Sequence, residues 1–339
     1  MNLTPNESYY RKVNGSLGIS LLLFWGLHLG LEAILLSLES ALPHNSRISV
    51  VGYQTLSGLG HLFVFLLPCA LLKILLTKSS YYYREMKLSV RFPVASLLAI
   101  PLGIAVIFSA AQINTAFTDL LGFDKLTEAF TATTIPNGDE PYELVLRFLV
   151  MCLIPGFCEE LLFRGAILTN LLPFGRSNAI LISSLLFALM HQNPQQIFSA
   201  FVAGIILGVL YEMAGSIWPC VLLHILNSFA AMSEDLIANA FADSFRGEII
   251  LVGLNLCILF LSGIGMLLLL VKFFGKRKDF HNGVFGKDVP ASDQYALYPI
   301  SAKLAKRLFW SPPMTVFMVI CSIEVIALMG MAVLYGLLY

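Results

Sequence analysis

Long apolar stretches recur through the whole sequence, and they restrict the fold more than any other feature. Most of them run for roughly 17–26 residues, and about 20 apolar residues suffice for an α-helix to cross a bilayer. Because backbone groups inside a bilayer must bond to one another, only helices and closed barrels can span it. Of the 339 residues, 58% are hydrophobic and only 12% are charged, whereas about a quarter are charged in soluble domains. The sequence therefore predicts an all-α, polytopic membrane protein.

The apolar stretches predict about nine transmembrane helices. They lie at about residues 17–38, 50–76, 92–113, 142–172, 178–191, 196–213, 216–232, 249–274 and 314–338. We expect Pro101 to interrupt the third helix, and the Phe117-x-x-Leu120-Leu121 pattern predicts a short interfacial helix after it. Gly204 and Gly208 have the GxxxG spacing that permits close helix contact. The chain then divides into an N-terminal three-helix segment, a four-helix core and a C-terminal two-helix segment, at residues 1–141, 142–233 and 234–339.

Basic residues are distributed unevenly between the two sides that these helices define. If the N-terminus is cytoplasmic and nine helices alternate, most of the 21 Lys and Arg residues fall in cytoplasmic connections, as the positive-inside rule requires. The C-terminus then lies outside. The first apolar run is too long for a cleaved signal peptide, and we expect a multi-pass protein of a bacterial plasma membrane. The formal net charge is zero, which gives no basis for nucleic-acid binding.

One stretch, Phe157-Cys158-Glu159-Glu160-Leu161-Leu162-Phe163-Arg164-Gly165, places three charges inside an apolar helix. A charge at the bilayer centre costs about 2.5–3.5 kcal/mol on insertion scales, so such residues need a reason to be there. Glu160 and Arg164 are four residues apart, lie on one helical face and can pair. Glu159 lies about 100° further round and has no local partner. Either the pair locks two helices together with Glu159 as a bystander, or it supports a Glu159 that does chemistry.

More polar residues occur in the predicted helices that follow. His191 ends the fifth helix, and His224 lies inside the seventh with Asn227 and Ser228 on the same face. A single histidine in a membrane helix is most often a hydrogen-bonding group between helices. Together with the charged motif, however, these residues fall within four consecutive helices joined by short loops. We therefore expect them to lie close together.

Such a set of residues is compatible with three chemistries. Glu159, His191 and His224 can bind a divalent metal such as zinc, with an open position for water. Alternatively, Glu159 and His191 can deprotonate a water directly, while His224 and Asn227 stabilise the oxyanion of a tetrahedral intermediate. A proton or ion relay in a transporter is the third. Neither HExxH nor GxSxG occurs in the sequence.

The order of these motifs resembles the CPBP family, the CAAX-protease-like and bacteriocin-processing membrane proteases also called Abi. The matching motifs are Glu159-Glu160-x-x-x-Arg164, Phe187-x-x-x-His191 and His224-Ile225-Leu226-Asn227, and the resemblance covers residues 142–233. It implies a helical membrane core around a polar cavity and cleavage of a peptide bond near the membrane face. It also implies that Glu159 and His191 activate water, that His224 and Asn227 form the oxyanion site, and that Glu160, Arg164 and Phe187 support them.

One position departs from the family pattern. The family's third motif usually has Asn four residues after His, where this chain has Ser228, with Asn227 one residue earlier. Either residue lies on the His224 face and can supply an oxyanion donor.

Taken together, the motifs and the resemblance predict an intramembrane endopeptidase that acts, within the lipid bilayer, on a peptide or membrane-protein substrate. No cofactor is predicted, although zinc stays open; the alternative is a non-proteolytic transporter or scaffold that uses the polar cluster for ions or helix locking.

Overall fold

The computed structural model describes six stretches of the chain, and every regular element in them is helical. The described residues are 5–41, 47–77, 85–123, 140–241, 245–274 and 309–338. Nine helices are built from them: α1 (Pro5–Ala41), α2 (Arg47–Thr77), α3 (Val94–Asp119), α4 (Pro141 to Phe174), α5 (Arg176–Met190), α6 (Pro194–Ala214), α7 (Trp218–Ala240), α8 (Phe245–Phe274) and α9 (Pro312–Leu338). The predicted all-α fold is confirmed.

Six of these helices are long and apolar enough to cross a membrane. They are α1, α2, α3, α6, α7 and α9, over Pro5–Leu38, Val50–Thr77, Val94–Asp119, Pro194–Ala214, Trp218–Ile237 and Pro312–Leu334. Shorter apolar helices lie at Arg176–Met190, which is α5, and at Val252–Gly265 inside α8. The chain is therefore an integral, polytopic membrane protein. The cytoplasmic N-terminus, the bacterial membrane and the three-segment division stay predictions.

Two expectations about the third helix are wrong. α3 runs without a break through Pro101 and continues to Asp119, so Phe117 belongs to α3 and not to a separate interfacial helix. A proline inside a membrane helix is tolerated when a neighbouring helix packs against the disturbed turn. Here Gly265 of α8 lies on that turn: a Cβ added to it would be 2.7 Å from the Leu98 carbonyl oxygen.

The charged motif lies in α4, which is not a uniform α-helix. It is α-helical over Pro141–Phe148, Ile154–Glu160 and Thr169–Leu171, π-helical over Leu149–Leu153 and Leu161–Leu168, and ends in a 3₁₀ turn at Leu172–Phe174. The π segments have i→i+5 bonding, a wider turn that often marks functional sites. The Thr169 hydroxyl donates to the Arg164 carbonyl five residues earlier, at 2.8 Å. This bond stabilises the wider turn directly after the motif.

Close helix approaches bring the polar residues of α4 to α7 together. A Cβ on Gly156 of α4 would lie 2.7 Å from Ile225 Cγ1, so α7 passes very near the motif and carries His224 to it. Gly204 on α6 is equally tight, since an added Cβ would be 2.7 Å from Ser184 Cα on α5. A Cβ added to Gly208 would lie 3.1 Å from Ile180 Cγ2. The close contact that the GxxxG spacing predicts is therefore confirmed.

Candidate active site

Glu160 is the centre of a hydrogen-bonded group that joins α4 to α7. Its Oε1 accepts a bond of 2.9 Å from Arg164 Nη1 and another of 2.9 Å from His224 Nδ1. The side chains of Glu160 and Arg164 are 0% and 1% exposed. The ion pair that the i,i+4 spacing predicts is therefore present, and its carboxylate also orients a histidine 64 residues further along the chain.

Arg164 connects α4 to the two helices that follow it. Its Nη2 donates to the Gly204 carbonyl of α6 at 3.3 Å. Its guanidinium carbon lies 4.5 Å from the ring centroid of Phe187 on α5, the geometry of a cation–π contact. Phe163 packs edge-on against Phe187, with centroids 4.9 Å apart. Arg164 is thus enclosed by a carboxylate, a carbonyl and aromatic rings, and its charge is balanced inside the protein.

His224 is held by one nitrogen and presents the other to Glu159. Because Glu160 can only accept when ionised, His224 Nδ1 carries the hydrogen of the 2.9 Å bond. Nε2 then points to Glu159, 3.9 Å from its Oε2. This separation is too long for a hydrogen bond but suits a bridging water. The two side chains are each 12% exposed, unlike the sealed pair behind them.

Glu159 itself makes no hydrogen bond to any residue within the described part of the chain. His224 is its only ion-pair partner within 4.0 Å among the described residues, provided the ring is protonated. The two adjacent carboxylates therefore differ as expected. Glu160 is hydrogen-bonded to Arg164 and His224, whereas both oxygens of Glu159 can still bind a water or a substrate.

His191 has the same kind of fixed geometry at the end of α5. Its Nδ1 lies 2.8 Å from the Phe187 carbonyl oxygen. A carbonyl only accepts, so Nδ1 donates, and in the neutral ring Nε2 keeps a free lone pair. The ring also packs edge-on against Phe187, with centroids 4.8 Å apart. The structure records no ion pair between His191 and Glu159, so their predicted cooperation on one water stays a prediction.

Asn227 and Ser228 follow His224 by one helical turn, and both are half-buried. Within the described residues neither side chain makes a hydrogen bond. Their polar groups are therefore available to a substrate, and the geometry does not choose between them.

Glu159, His191 and His224 are the three residues that could hold a metal ion. In the ranges that the structure covers, no three His, Cys, Asp or Glu side chains are grouped closely enough to hold an ion. Nδ1 of His191 and of His224 are both engaged, by a carbonyl and by a carboxylate, and Nε2 of each ring is left, as in most metal-ligating histidines. Zinc held by Glu159, His191 and His224 therefore stays the alternative that the sequence predicts beside metal-independent chemistry.

Several supporting residues are not evident from the sequence. The buried Tyr211 hydroxyl of α6 bonds to Thr169 Oγ1 at 2.8 Å and accepts from the Lys87 backbone N–H at 3.3 Å. Thr169 in turn holds the Arg164 carbonyl. The non-helical stretch before α3 is thereby attached to the back of the site, and Met86 from this stretch fills the space beside Gly165. A tyrosine in an apolar helix gives no signal for such a role, because its partners come from distant parts of the chain.

Comparison with known families agrees with this geometry. Residues 141–230 match the family model described as type II CAAX prenyl endopeptidase Rce1-like. This range begins with α4, ends within α7 and includes every residue of the candidate site. No curated protein and no solved structure matches the chain. The family match agrees with the relationship that the motifs indicate: residues 141–230 are similar to the Rce1-like, CAAX-type proteases of the CPBP family.

Proposed function

We propose that this protein hydrolyses a peptide bond in a membrane-associated peptide or protein by glutamate-activated water. The observation that carries the proposal is the pair formed by Glu159 and His224. Glu159 Oε2 faces His224 Nε2 across 3.9 Å, a gap of the size that a water bridges. The side chains of Glu160 and Arg164, by contrast, are fully buried. This difference favours chemistry at Glu159 over a simple helix lock, in which all these groups would be equally closed.

The water is activated by Glu159 as general base. As the water oxygen bonds to the carbonyl carbon, its proton passes to the Glu159 carboxylate and the carbonyl electrons move onto oxygen. When the tetrahedral intermediate collapses, the C–N bond breaks and Glu159 returns the proton to the leaving amine. His191 assists by accepting a hydrogen bond from the same water at Nε2, the nitrogen that its bond to Phe187 leaves free.

The oxyanion is stabilised by α7. His224 donates from Nε2 when its ring carries both protons, and Glu160 at Nδ1 holds the ring in place. Asn227 donates from its side-chain amide one turn further on, and Ser228 is the other available donor. Preorganised donors of this kind each contribute about 10²–10³-fold in kcat.

The substrate class follows from the position of the site and from the family description. His224 lies in α7, a candidate membrane span, and faces Glu159, so a scissile bond that reaches these groups belongs to a segment held at or in the bilayer. The matching family model is described as type II CAAX prenyl endopeptidase Rce1-like. We therefore take a prenylated C-terminal peptide as the first substrate for this chain, followed by unprenylated membrane-associated peptides.

The test is cleavage of a peptide library that includes a farnesylated CAAX peptide, by purified protein in detergent. Wild type is compared with Glu159→Gln, each with and without a strong chelator. Glu32→Gln is the matched control, because it makes the same change in α1, outside the family match. Activity lost only in Glu159→Gln and kept with chelator supports the glutamate mechanism.

Two other results would argue against it. Loss of wild-type activity with chelator would favour a metal, and cleavage retained by Glu159→Gln would exclude that residue as the base. If wild type cleaves no peptide but moves protons or ions across vesicles, the transporter alternative replaces the protease.

A further inference from the structure

A cleft separate from the protease site opens where α1, α2 and α9 meet. It has a volume of about 360 Å³. Its polar lining consists of side chains from the first turns of α1 and from the residue before α9: Ser8, Arg11, Lys12, Ser16 and Ser311. Ile19 and Leu75 form its apolar side. None of these helices belongs to the matched range 141–230, and the proposed protease mechanism uses none of these residues.

The charge in this cleft is positive. Arg11 and Lys12 line it, both are exposed, and none of the described residues that line it is acidic. The N-terminus of the 27-residue helix α9 adds the positive end of its dipole. That helix starts with Pro312 and Pro313, which have no N–H. Hydrogen bonds to a bound anion must therefore come mainly from side chains.

Ser311 provides an independent sign of a missing ligand. The residue is only 4% exposed. Its carbonyl already accepts from the Thr315 N–H and hydroxyl, at 2.8 and 3.0 Å. Its own Oγ is buried and has no partner among the described residues. Buried polar groups are almost always hydrogen-bonded. The Ser311 hydroxyl is therefore an unused donor in a cleft that Arg11 and Lys12 also line, and an anion could accept its hydrogen bond.

The position of the cleft indicates where this acceptor comes from. Its residues lie at the first ends of two membrane spans, Pro5–Leu38 and Pro312–Leu334. Trp310, next to Ser311, is 49% exposed, and exposed tryptophans at span ends typically lie at the level of lipid headgroups. Ile19, 43% exposed, continues the cleft toward the apolar surface of α1. The basic part of the cleft thus suits an anionic headgroup, and its apolar side suits an acyl chain.

From these observations we propose that the cleft binds the phosphate group of an anionic phospholipid. Arg11 and Lys12 pair with the phosphate, Ser311 donates a hydrogen bond to one of its oxygens, and Ile19 contacts an acyl chain. The bound lipid would connect α1 to α9, two helices that flank the protease core. No step of peptide hydrolysis depends on this site, so it can be tested apart from proteolysis.

The test is native mass spectrometry of the detergent-purified full chain, titrated with phosphatidylglycerol, phosphatidylcholine or inorganic phosphate. We expect selective binding of phosphatidylglycerol. Arg11→Gln should weaken it about fivefold, as expected for one juxtamembrane charge. Ser311→Ala should weaken it several-fold, in the range of about 2- to 10-fold for one hydrogen bond. Arg91→Gln removes an exposed charge on the same predicted face outside the cleft, and it should have little effect.

Folding is checked separately by the melting temperature without lipid. Ser311→Ala should not lower it, because its Oγ bonds to nothing in the described structure. Equal binding of phosphatidylcholine, or an Arg91→Gln effect as large as that of Arg11→Gln, would overturn the proposal. So would saturation by inorganic phosphate at the same affinity as phosphatidylglycerol, because the site would then recognise free phosphate and not a lipid.

Discussion

Glu160 holds His224 through a 2.9 Å hydrogen bond between α4 and α7, and the same carboxylate oxygen holds Arg164. One buried acid therefore fixes both a cation and a candidate catalytic ring. Glu160 and His224 are 64 residues apart in sequence. The position of the His224 ring therefore depends on the packing of α7 against α4.

The first prediction concerns this buried acid. Glu160→Ala leaves the Arg164 guanidinium uncompensated in a place where it is 1% exposed. Breaking a buried pair on one side typically costs about 3–5 kcal/mol, so the melting temperature in detergent should fall sharply. Glu159→Ala is the control: Glu159 makes no hydrogen bond in the described structure, and its removal should be well tolerated. Equal losses from the two substitutions would contradict the division between a structural and a chemical carboxylate.

The second prediction distinguishes the two oxyanion donors. If Asn227 supplies the donor, Asn227→Ala should lower kcat by about 10²–10³-fold with little change in KM, while Ser228→Ala keeps most of the activity. Neither side chain makes a hydrogen bond among the described residues, so both variants should fold and melt like the wild type. The reverse ranking would assign the role to Ser228, the position that the family pattern favours.

The third prediction uses the close approach of α5 and α6. An added Cβ at Gly204 would meet Ser184 Cα at 2.7 Å, so Gly204→Ala must separate the helices and move the carbonyl that Arg164 binds. Overpacking of this kind costs about 1–3 kcal/mol, and activity should fall with stability. Gly30→Ala on α1 has nothing within 4 Å of its new Cβ and serves as control in the same thermal-shift and cleavage assays. An unchanged Gly204→Ala variant would argue against the described contact.

The sequence predicts the parts of this protein that depend on local spacing. Helix number follows from the apolar stretches, the Glu160–Arg164 pair from a four-residue interval, and the α5–α6 contact from GxxxG. Pairings between distant helices are not available to such reasoning. Nothing local indicates that His224 bonds to Glu160 or that Tyr211 reaches the Lys87 backbone.

The error at Pro101 of α3 and the π segments of α4, which the sequence does not predict, also have physical causes. Intrinsic propensity alone predicts a break at Pro101, but the packing of Gly265 against that turn allows the helix to continue. The π segments of α4 likewise depend on tertiary partners, among them the Tyr211 hydroxyl that bonds to Thr169. Most of the connection after α3, residues 124–139, lies outside the described residues.

The last prediction concerns Phe187, the ring at which the buried cation and both imidazoles meet. It lies 4.5 Å from the Arg164 guanidinium carbon, and its centroid is 4.8 and 6.2 Å from those of His191 and His224. Phe187→Leu keeps an apolar side chain but removes the π face. The lost cation–π contact is worth about 0.5–2 kcal/mol, and both imidazoles lose the surface against which they pack. We expect a moderate loss of stability and at least a tenfold loss of kcat.

Phe163→Leu is the matched control for this substitution. Phe163 packs on Phe187 and lies 6.0 Å from the guanidinium carbon, but it has no recorded ring contact with either histidine. Its replacement should therefore cost similar stability and much less kcat when the two variants are compared in the same cleavage assay. A parallel loss of kcat in both would mean that the rings act only by filling the core. A loss confined to Phe187→Leu would mean that this ring positions the imidazoles for catalysis.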